Sequence, residues 1–253
     1  MKRHVVSLYD FTGEALRPWA EDGYDCFAYD IQHKPSPIGT LEPSNFKTFG
    51  SGGNIFFIHA DLYDPETSLK IIARHNNKVS FMSAFPPCTD LAVSGAMWWK
   101  KKGEANPDFQ TEASNHVKRC SMVGDAFDCP YYIENPIGAL TRLWRKPDHK
   151  FDPCDFGGYL SEDDVHPRWP EIIPPRDAYR KKTCLWVGNQ FKMPDHNKVD
   201  HKTIIYNRKN IKKGNKFSPI AGKTGGKSQR TKNIRSATPR GFAKAVFLTN
   251  SKQ

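Results

Sequence analysis

The stretch that decides the fold reads Val79-Ser80-Phe81-Met82-Ser83-Ala84-Phe85-Pro86-Pro87-Cys88-Thr89-Asp90-Leu91. Its apolar first half is typical of a buried strand. The two prolines end that strand, because proline has no amide hydrogen and a fixed φ. A cysteine follows the prolines directly. Most cysteines are small buried hydrophobic residues, so Cys88 taken alone favours packing over catalysis.

Predicted strands and helices alternate on both sides of this stretch. The strands cover residues 4–8, 24–29, 55–58, 79–84, 131–133 and 181–187, with a short strand at 203–206, and the helices cover residues 14–20, 67–76, 111–127 and 240–248. This alternation predicts an α/β fold with a Rossmann-like, doubly wound and mostly parallel sheet. Four predicted strand ends carry, in order, Asp30, Asp61, Cys88 and Glu134. Ligand sites in open α/β sheets lie along that edge.

The net charge of +11 comes from one part of the chain. From Lys198 to Arg235 there are twelve Lys and Arg residues and one acid, Asp200, while the remaining residues are neutral overall. This distribution predicts a segment that binds a polyanion, nucleic acid first, with a steep dependence on salt. The alternative is a solvated loop region. We predict a core at 1–188, a small basic segment at 189–233 and a C-terminal helix that returns to the core at 234–253.

Composition favours a folded protein without a membrane span. Hydrophobic residues make up 38% of the chain, but no apolar run approaches the roughly 18 residues that a span needs. The start of the chain has too short an apolar run for a signal peptide. Six cysteines without CxxC pairs predict reduced thiols and a cytoplasmic location. A zinc site at Cys120, Cys129 and Cys154 matches no common spacing, so we predict no metal.

Several short motifs occur along the chain in a particular order. They are Phe11-Thr12-Gly13, Asp30, Asp61, Pro86-Pro87-Cys88, Glu134-Asn135 and a last helix after Pro239. This series resembles the S-adenosylmethionine-dependent DNA cytosine-C5 methyltransferases. The resemblance is strongest to the short phage-encoded branch, because of residues 83–91, Glu134-Asn135-Pro136 and Lys182-Thr183-Cys184-Leu185-Trp186. It spans residues 8–248 without the basic segment.

The resemblance implies a class I methyltransferase fold and a DNA (cytosine-5-)-methyltransferase activity. Cys88, as a thiolate, would add to C6 of cytosine and make C5 nucleophilic. Glu134 would protonate N3 as the thiol adds. Lys182 is the third catalytic candidate, because the family's arginine that approaches the cytosine O2 corresponds to residues 180–182. A free thiol titrates near 8.5, so we expect the site to favour the thiolate, through a helix N-terminus.

The resemblance also implies S-adenosyl-L-methionine as the cofactor. Asp30 would bind the ribose hydroxyls and Asp61 the adenine amino group. The cofactor-binding candidates are Phe11, Thr12, Gly13, Asp30, Asp61, Pro86 and Ser236. The family's first motif continues into further glycines, whereas this chain continues into Glu14-Ala15-Leu16 and makes a bulkier loop.

The implied partner is double-stranded DNA, with the target cytosine flipped out of the helix. The location would be the cytoplasm of a bacterium or of an infected host cell, and we take a monomer as the starting hypothesis. Only residues 189–233 are available for target recognition, which favours a short or relaxed target sequence. Two alternatives stay open. One is C5 modification with a modified sulfonium donor, or of RNA or a nucleotide; the other is a non-catalytic DNA-binding protein with this fold.

Overall fold

The computed structural model describes residues 3–36, 40–205, 216–226 and 228–251. The strands are β1 His4–Leu8, β2 Asp25–Asp30, β3 Asn45–Thr48, β4 Asn54–His59, β5 Val79–Ala84, β6 Tyr131–Pro136, β7 His149–Phe151, β8 Thr183–Gly188, β9 Ile204–Ile205 and β10 Lys216–Phe217. The helices are α1 Arg17–Glu21, α2 Pro65–His75, α3 Trp99–Ala105, α4 Phe109–Phe127, α5 Leu140–Leu143, α6 Pro219–Lys223, α7 Gln229–Ser236 and α8 Arg240–Asn250. Short 3₁₀ segments lie at Val93–Trp98, Pro153–Tyr159 and Pro175–Asp177.

Eight strands form one sheet in the order β3-β4-β2-β1-β5-β6-β8-β7. The five central strands, β4, β2, β1, β5 and β6, are parallel, and β3 and β8 run antiparallel to their neighbours. The predicted Rossmann-like, doubly wound and mostly parallel sheet is therefore confirmed. The chain moves outward from β1 through β2 to β4 and then returns to β5 on the other side of β1. This reversal is the switch point at which such sheets bind ligands.

Apolar clusters cover both faces of the sheet. One contains Ile71 of α2 and Val117 of α4, and the other contains Trp19 of α1 and Phe242 of α8. The Phe242 ring stacks on that of Phe151, with centroids 4.3 Å apart. Because the parallel strands are covered on both sides, they read as continuous apolar runs. The last helix completes the second of these layers.

Several predicted boundaries differ from those observed. The predicted helix at 14–20 starts late, at Arg17, because residues 14–16 form turns after Gly13. The strand predicted at 131–133 extends to Pro136, because β8 pairs with it along its whole length, so Glu134 lies inside β6 and not after it. Strands β3 and β7 were not predicted. They lie at the two edges of the sheet, and β3 is exposed throughout, so it lacks an apolar pattern.

The described part of the basic segment is more ordered than its loop-like composition indicates. Ile220 of α6 and Ile234 of α7 are buried in a small cluster with Ile173 and Tyr179. The short strand predicted at 203–206 corresponds to β9, and its last residue, Tyr206, lies outside the described residues, as do 207–215 and 227.

Two basic side chains of this segment are paired with acids outside it. Lys198 Nζ lies 3.8 Å from an oxygen of Asp155, and Arg230 lies 2.8 Å from Glu171. These ion pairs offset part of the segment's positive charge. Across the described ranges, no helix has both the length and the apolar character needed to cross a membrane.

Candidate active site

The loop after β1 is organised by the buried carboxylate of Asp10. Its Oδ1 accepts hydrogen bonds from the amides of Thr12 and Gly13, at 3.0 and 2.8 Å, and its Oδ2 accepts one from the Ser7 hydroxyl at 2.9 Å. Gly13 has a φ of +71°, and a Cβ there would lie 3.0 Å from the Phe57 ring, so the position requires glycine. The loop therefore crosses the switch point in one defined conformation.

Asp30, the last residue of β2, is a second buried carboxylate at this edge. It is 6% exposed, and its Oδ1 accepts a hydrogen bond from the Gln32 amide at 2.7 Å. Burial raises the pKa of Asp30 to about 6; the Gln32 hydrogen bond lowers it, and the nearby Asp10 charge raises it. A desolvated carboxylate at a strand end is a strong acceptor for a pair of hydroxyl groups. Asp30 therefore suits a ribose-binding position.

The pH dependence of adenosine-ligand binding tests this interpretation of Asp30. Hydroxyl donors stabilise the carboxylate and not the acid, so affinity should rise as pH rises through about 6 and level off above about 7. Asp30→Asn should remove this dependence and weaken binding at pH 8 by roughly 10- to 100-fold. Calorimetric titration with S-adenosylhomocysteine between pH 5 and 8 measures both effects.

Asp25 provides the matched control, because it lies at the opposite end of the same strand and accepts a hydrogen bond from Asn54. Asp25→Asn should leave the pH profile of binding unchanged. Equal affinities at pH 5 and pH 8 in the unmodified protein would contradict the role given to Asp30.

Three hydrogen bonds join the loop that carries Cys88 to the end of β6 and the loop after it. The Asn135 amide donates to the Pro86 carbonyl at 2.8 Å. The backbone amides of Val93 and Ala139 donate to the carbonyls of Ile137 and Leu91, at 3.1 and 2.8 Å. A Cβ at Gly138 would lie 2.0 Å from the Leu91 carbonyl, so only glycine permits this approach. The two loops, some 50 residues apart in sequence, therefore hold Cys88 and Glu134 in fixed positions.

Cys88 is half-buried at this edge, and charged side chains act on its thiol. Burial raises the pKa of the Cys88 thiol, and the Glu134 carboxylate raises it further, while Lys181 and Arg235 lower it. The expectation that the site lowers this pKa is therefore wrong for the protein without ligand. Ionisation of the thiol becomes easier when Glu134 is neutral, because a neighbouring negative charge is then removed. The two groups are electrostatically coupled.

Glu134 has a buried oxygen without a hydrogen-bond partner among the described residues. Its Oε1 lies 3.8 Å from Lys181 Nζ, which makes an ion pair but is too long for a hydrogen bond. Buried polar atoms are nearly always satisfied in native proteins. This oxygen is therefore available to share a proton with a ring nitrogen of a ligand.

Lys182, predicted to be catalytic, forms its ion pair with Asp152 and not with Glu134. Its Nζ donates to Asp152 Oδ2 at 2.6 Å, and this hydrogen bond raises the pKa of Lys182. Successive residues of extended backbone point to opposite sides, so the preceding residue, Lys181, faces Glu134. The structure therefore favours Lys181, not Lys182, as the cation of this site.

The other predicted residues fall into three places. Phe11 stacks on His33 beside the Asp10 loop, with ring centroids 5.7 Å apart. Asp61 lies two residues after β4, where its Oδ1 accepts the Tyr63 amide at 3.0 Å. Ser236, at the end of α7, lines a small cavity with Phe85, Glu134 and Lys181. Ser236 is thus brought to the Cys88 side of the edge, and the roles given to these residues stay predictions.

Asp10, Asn135 and Arg235 contribute to the site but were not predicted as site residues. Asp10 could have been predicted from the sequence, because it is an acid between a predicted strand and a glycine. Arg235 lowers the pKa of Cys88 because the fold brings the two residues together. No feature of the sequence predicts that they are close. Within the described residues, no group of three or more His, Cys, Asp or Glu side chains could hold a metal ion.

Comparison with known proteins adds little to these observations. No protein-family model and no curated protein matches the chain. Among solved structures it is similar to a "putative DNA modification methyltransferase" encoded within a prophage of E. coli, with a TM-score of 0.40 and 11% identity over 74% of this chain. The chain spans 46% of the length of that protein. A likeness this distant carries no argument about activity, so function is argued from the site.

Proposed function

We propose that this protein transfers a methyl group from S-adenosylmethionine to C5 of cytosine in double-stranded DNA. The observation that carries the proposal is the pairing of Cys88 with Glu134 at the switch point of a doubly wound sheet, by loops that hydrogen-bond to each other. The buried carboxylate of Asp30 ends β2, which lies two strands from β5 in the same sheet. A nucleophile, a proton donor and a nucleoside acceptor along one edge fit a base-modifying enzyme.

The loops after β1 and β2 fit the proposed donor. Asp30 is a desolvated acceptor, and the Asp10–Gly13 loop is held in one conformation beside it. S-adenosylmethionine, when bound, supplies an electrophilic methyl group. Asp30 would accept hydrogen bonds from its ribose hydroxyls, Phe11 would pack against the nucleoside, and Asp61 would accept from the adenine amino group. The interactions of Thr12 and Gly13 with the donor would come from their backbone.

The reaction uses Cys88 and Glu134 together. The Cys88 thiolate forms a bond to C6 of the flipped cytosine while N3 takes the proton of Glu134, which makes C5 nucleophilic. C5 then forms its bond to the methyl carbon while the bond from that carbon to the sulfonium sulfur breaks, which leaves S-adenosylhomocysteine. A base removes the C5 proton, the bond between Sγ and C6 breaks, and N3 returns its proton to Glu134. Lys181 is the cation on this side of the site and would donate to the cytosine O2. Fixed loops keep the two reacting side chains oriented before the base arrives.

Positive charge supports DNA as the substrate. The segment from Lys198 to Arg235 carries a net charge of +11, and Arg235 at its end acts on the Cys88 thiol. Phosphate contacts from such a segment would hold the duplex while the cytosine is extruded, at a cost of a few kcal/mol of unstacking. A free nucleotide would need no comparable positive surface.

Transfer of label from methyl-labelled S-adenosylmethionine to duplex DNA tests the proposal. After enzymatic digestion, we expect all the label in 5-methylcytosine, identified by its retention and mass. Matched RNA and free cytidine triphosphate should remain unlabelled. Label in RNA or in a nucleotide, or an added mass other than that of a methyl group, would replace the proposal with one of those activities. Salt-sensitive DNA binding without any transfer would instead indicate a non-catalytic protein.

A further inference from the structure

An arginine from a distant part of the chain lies over the loop after β1. Arg168 Nη2 donates to the Thr12 carbonyl at 3.1 Å, although the two residues are 156 positions apart. The side chain of Arg168 is 40% exposed, so one side of the guanidinium faces solvent. Its backbone is held by His166, whose Nδ1 accepts the amides of Arg168 and Trp169 at 3.2 and 3.1 Å. Arg168 is thus a positioned cation at the switch point.

Beneath Arg168 lies a buried carboxylate, that of Glu14. Its side chain is 7% exposed, and Oε1 lies 3.9 Å from Arg168 Nε. The other oxygen, Oε2, is buried and has no hydrogen-bond partner among the described residues. Burial raises the pKa of Glu14, and Arg168 is the first of the cations that lower it. A buried carboxylate requires a cation beside it, so Glu14 holds the Nε side of the guanidinium inward.

The shape of the proposed donor gives this pair a role. In the proposed complex, the ribose of the donor binds Asp30 and its reactive centre points to Cys88. The amino-acid end of the donor then extends over the loop after β1. That end carries a carboxylate, and the planar fork of arginine is the side chain best matched to a carboxylate. Arg168 stands over this loop, with Glu14 beside it.

We propose that Arg168 binds the α-carboxylate of the donor's amino-acid end, with Glu14 as the positioning residue beneath it. The inference rests on the proposed use of a sulfonium donor. It adds a binding residue from residues 160–174, which otherwise contribute nothing to the site. Arg168 therefore distinguishes donors and products that carry an amino-acid end from nucleosides that lack one.

Calorimetric titration with two ligands tests the inference. S-adenosylhomocysteine carries the amino-acid end, and 5′-methylthioadenosine lacks it. We expect the unmodified protein to bind the first ligand more tightly, and Arg168→Gln to weaken that binding about 10- to 100-fold. Affinity for 5′-methylthioadenosine should change less than about twofold, which also reports that the variant is folded. Arg168→Lys keeps the charge without the fork and should recover part of the loss.

Arg17 provides the matched control. It is also 40% exposed, forms an ion pair with Glu21 at 2.7 Å and acts on the same Glu14 charge from α1. Arg17→Gln should leave both affinities unchanged, whereas Glu14→Gln should weaken only S-adenosylhomocysteine. Equal weakening of both ligands in Arg168→Gln, or no weakening, overturns the role of Arg168. Binding of neither ligand to the unmodified protein overturns the proposed function and this inference together. Equal binding of both ligands overturns only the inference.

Discussion

Replacing Cys88 with alanine is expected to lower the rate of methyl transfer to DNA at least about 1,000-fold, because alanine cannot form the bond to C6. DNA that contains 5-fluorocytosine should form a stable covalent complex with the unmodified protein, since the fluorine at C5 prevents release. The complex should be absent with Cys88→Ala. Denaturing electrophoresis detects the complex, and filter binding of labelled DNA measures the transfer.

A second thiol gives the control for this experiment. Cys154 is buried outside the site, in the 3₁₀ segment Pro153–Tyr159, and Cys154→Ala should keep both transfer and the covalent complex. Thermal melts verify that both variants are folded. Transfer at an undiminished rate by Cys88→Ala, or a covalent complex that persists in it, would exclude Cys88 as the nucleophile.

Glu134→Gln is expected to slow turnover and, at the same time, to make the Cys88 thiol more reactive. Turnover should fall about 100- to 10,000-fold, because glutamine cannot supply the proton to N3. The pKa of the Cys88 thiol should fall as well, because the negative charge that raises it has been removed. The thiol should therefore react faster with iodoacetamide near neutral pH while the enzyme is slower. The pH dependence of alkylation at Cys88, followed by peptide mass spectrometry, measures the second effect.

Lys181→Gln should shift the same thiol in the other direction. Lys181 lowers the pKa of Cys88, so its loss should raise that pKa and slow alkylation. A general loss of structure would expose Cys88 in both variants and speed alkylation in both. If neither variant changes the alkylation profile, the three groups are not coupled as the structure indicates. Transfer at a normal rate by Glu134→Gln would remove Glu134 from the proton transfer.

The central strands could be predicted because their signals are local. The strand at Val79–Ala84 has the predicted boundaries, since a mostly apolar run ends shortly before two prolines. The edge strands β3 and β7 lack such a signal, because an edge strand has little buried surface to impose an apolar pattern. Helices α6 and α7 were missed because glycine and charge dominate their composition, while Ile220 and Ile234 provide their buried side.

The sequence alone predicted the fold class correctly, and the resemblance of its motifs to a known family predicted Cys88 and Glu134 as the chemical groups of the candidate site. Apolar runs, the prolines that end them and the reactive side chains that follow are features of residues close together in the sequence. They can therefore be recognised without the structure. The tertiary structure decided that Lys181 pairs with Glu134, that the pKa of the Cys88 thiol is raised, and that Arg168 reaches the loop after β1. These features depend on side-chain direction and on contacts between residues up to 156 positions apart, which arise only when the packed sheet brings its loops to one edge.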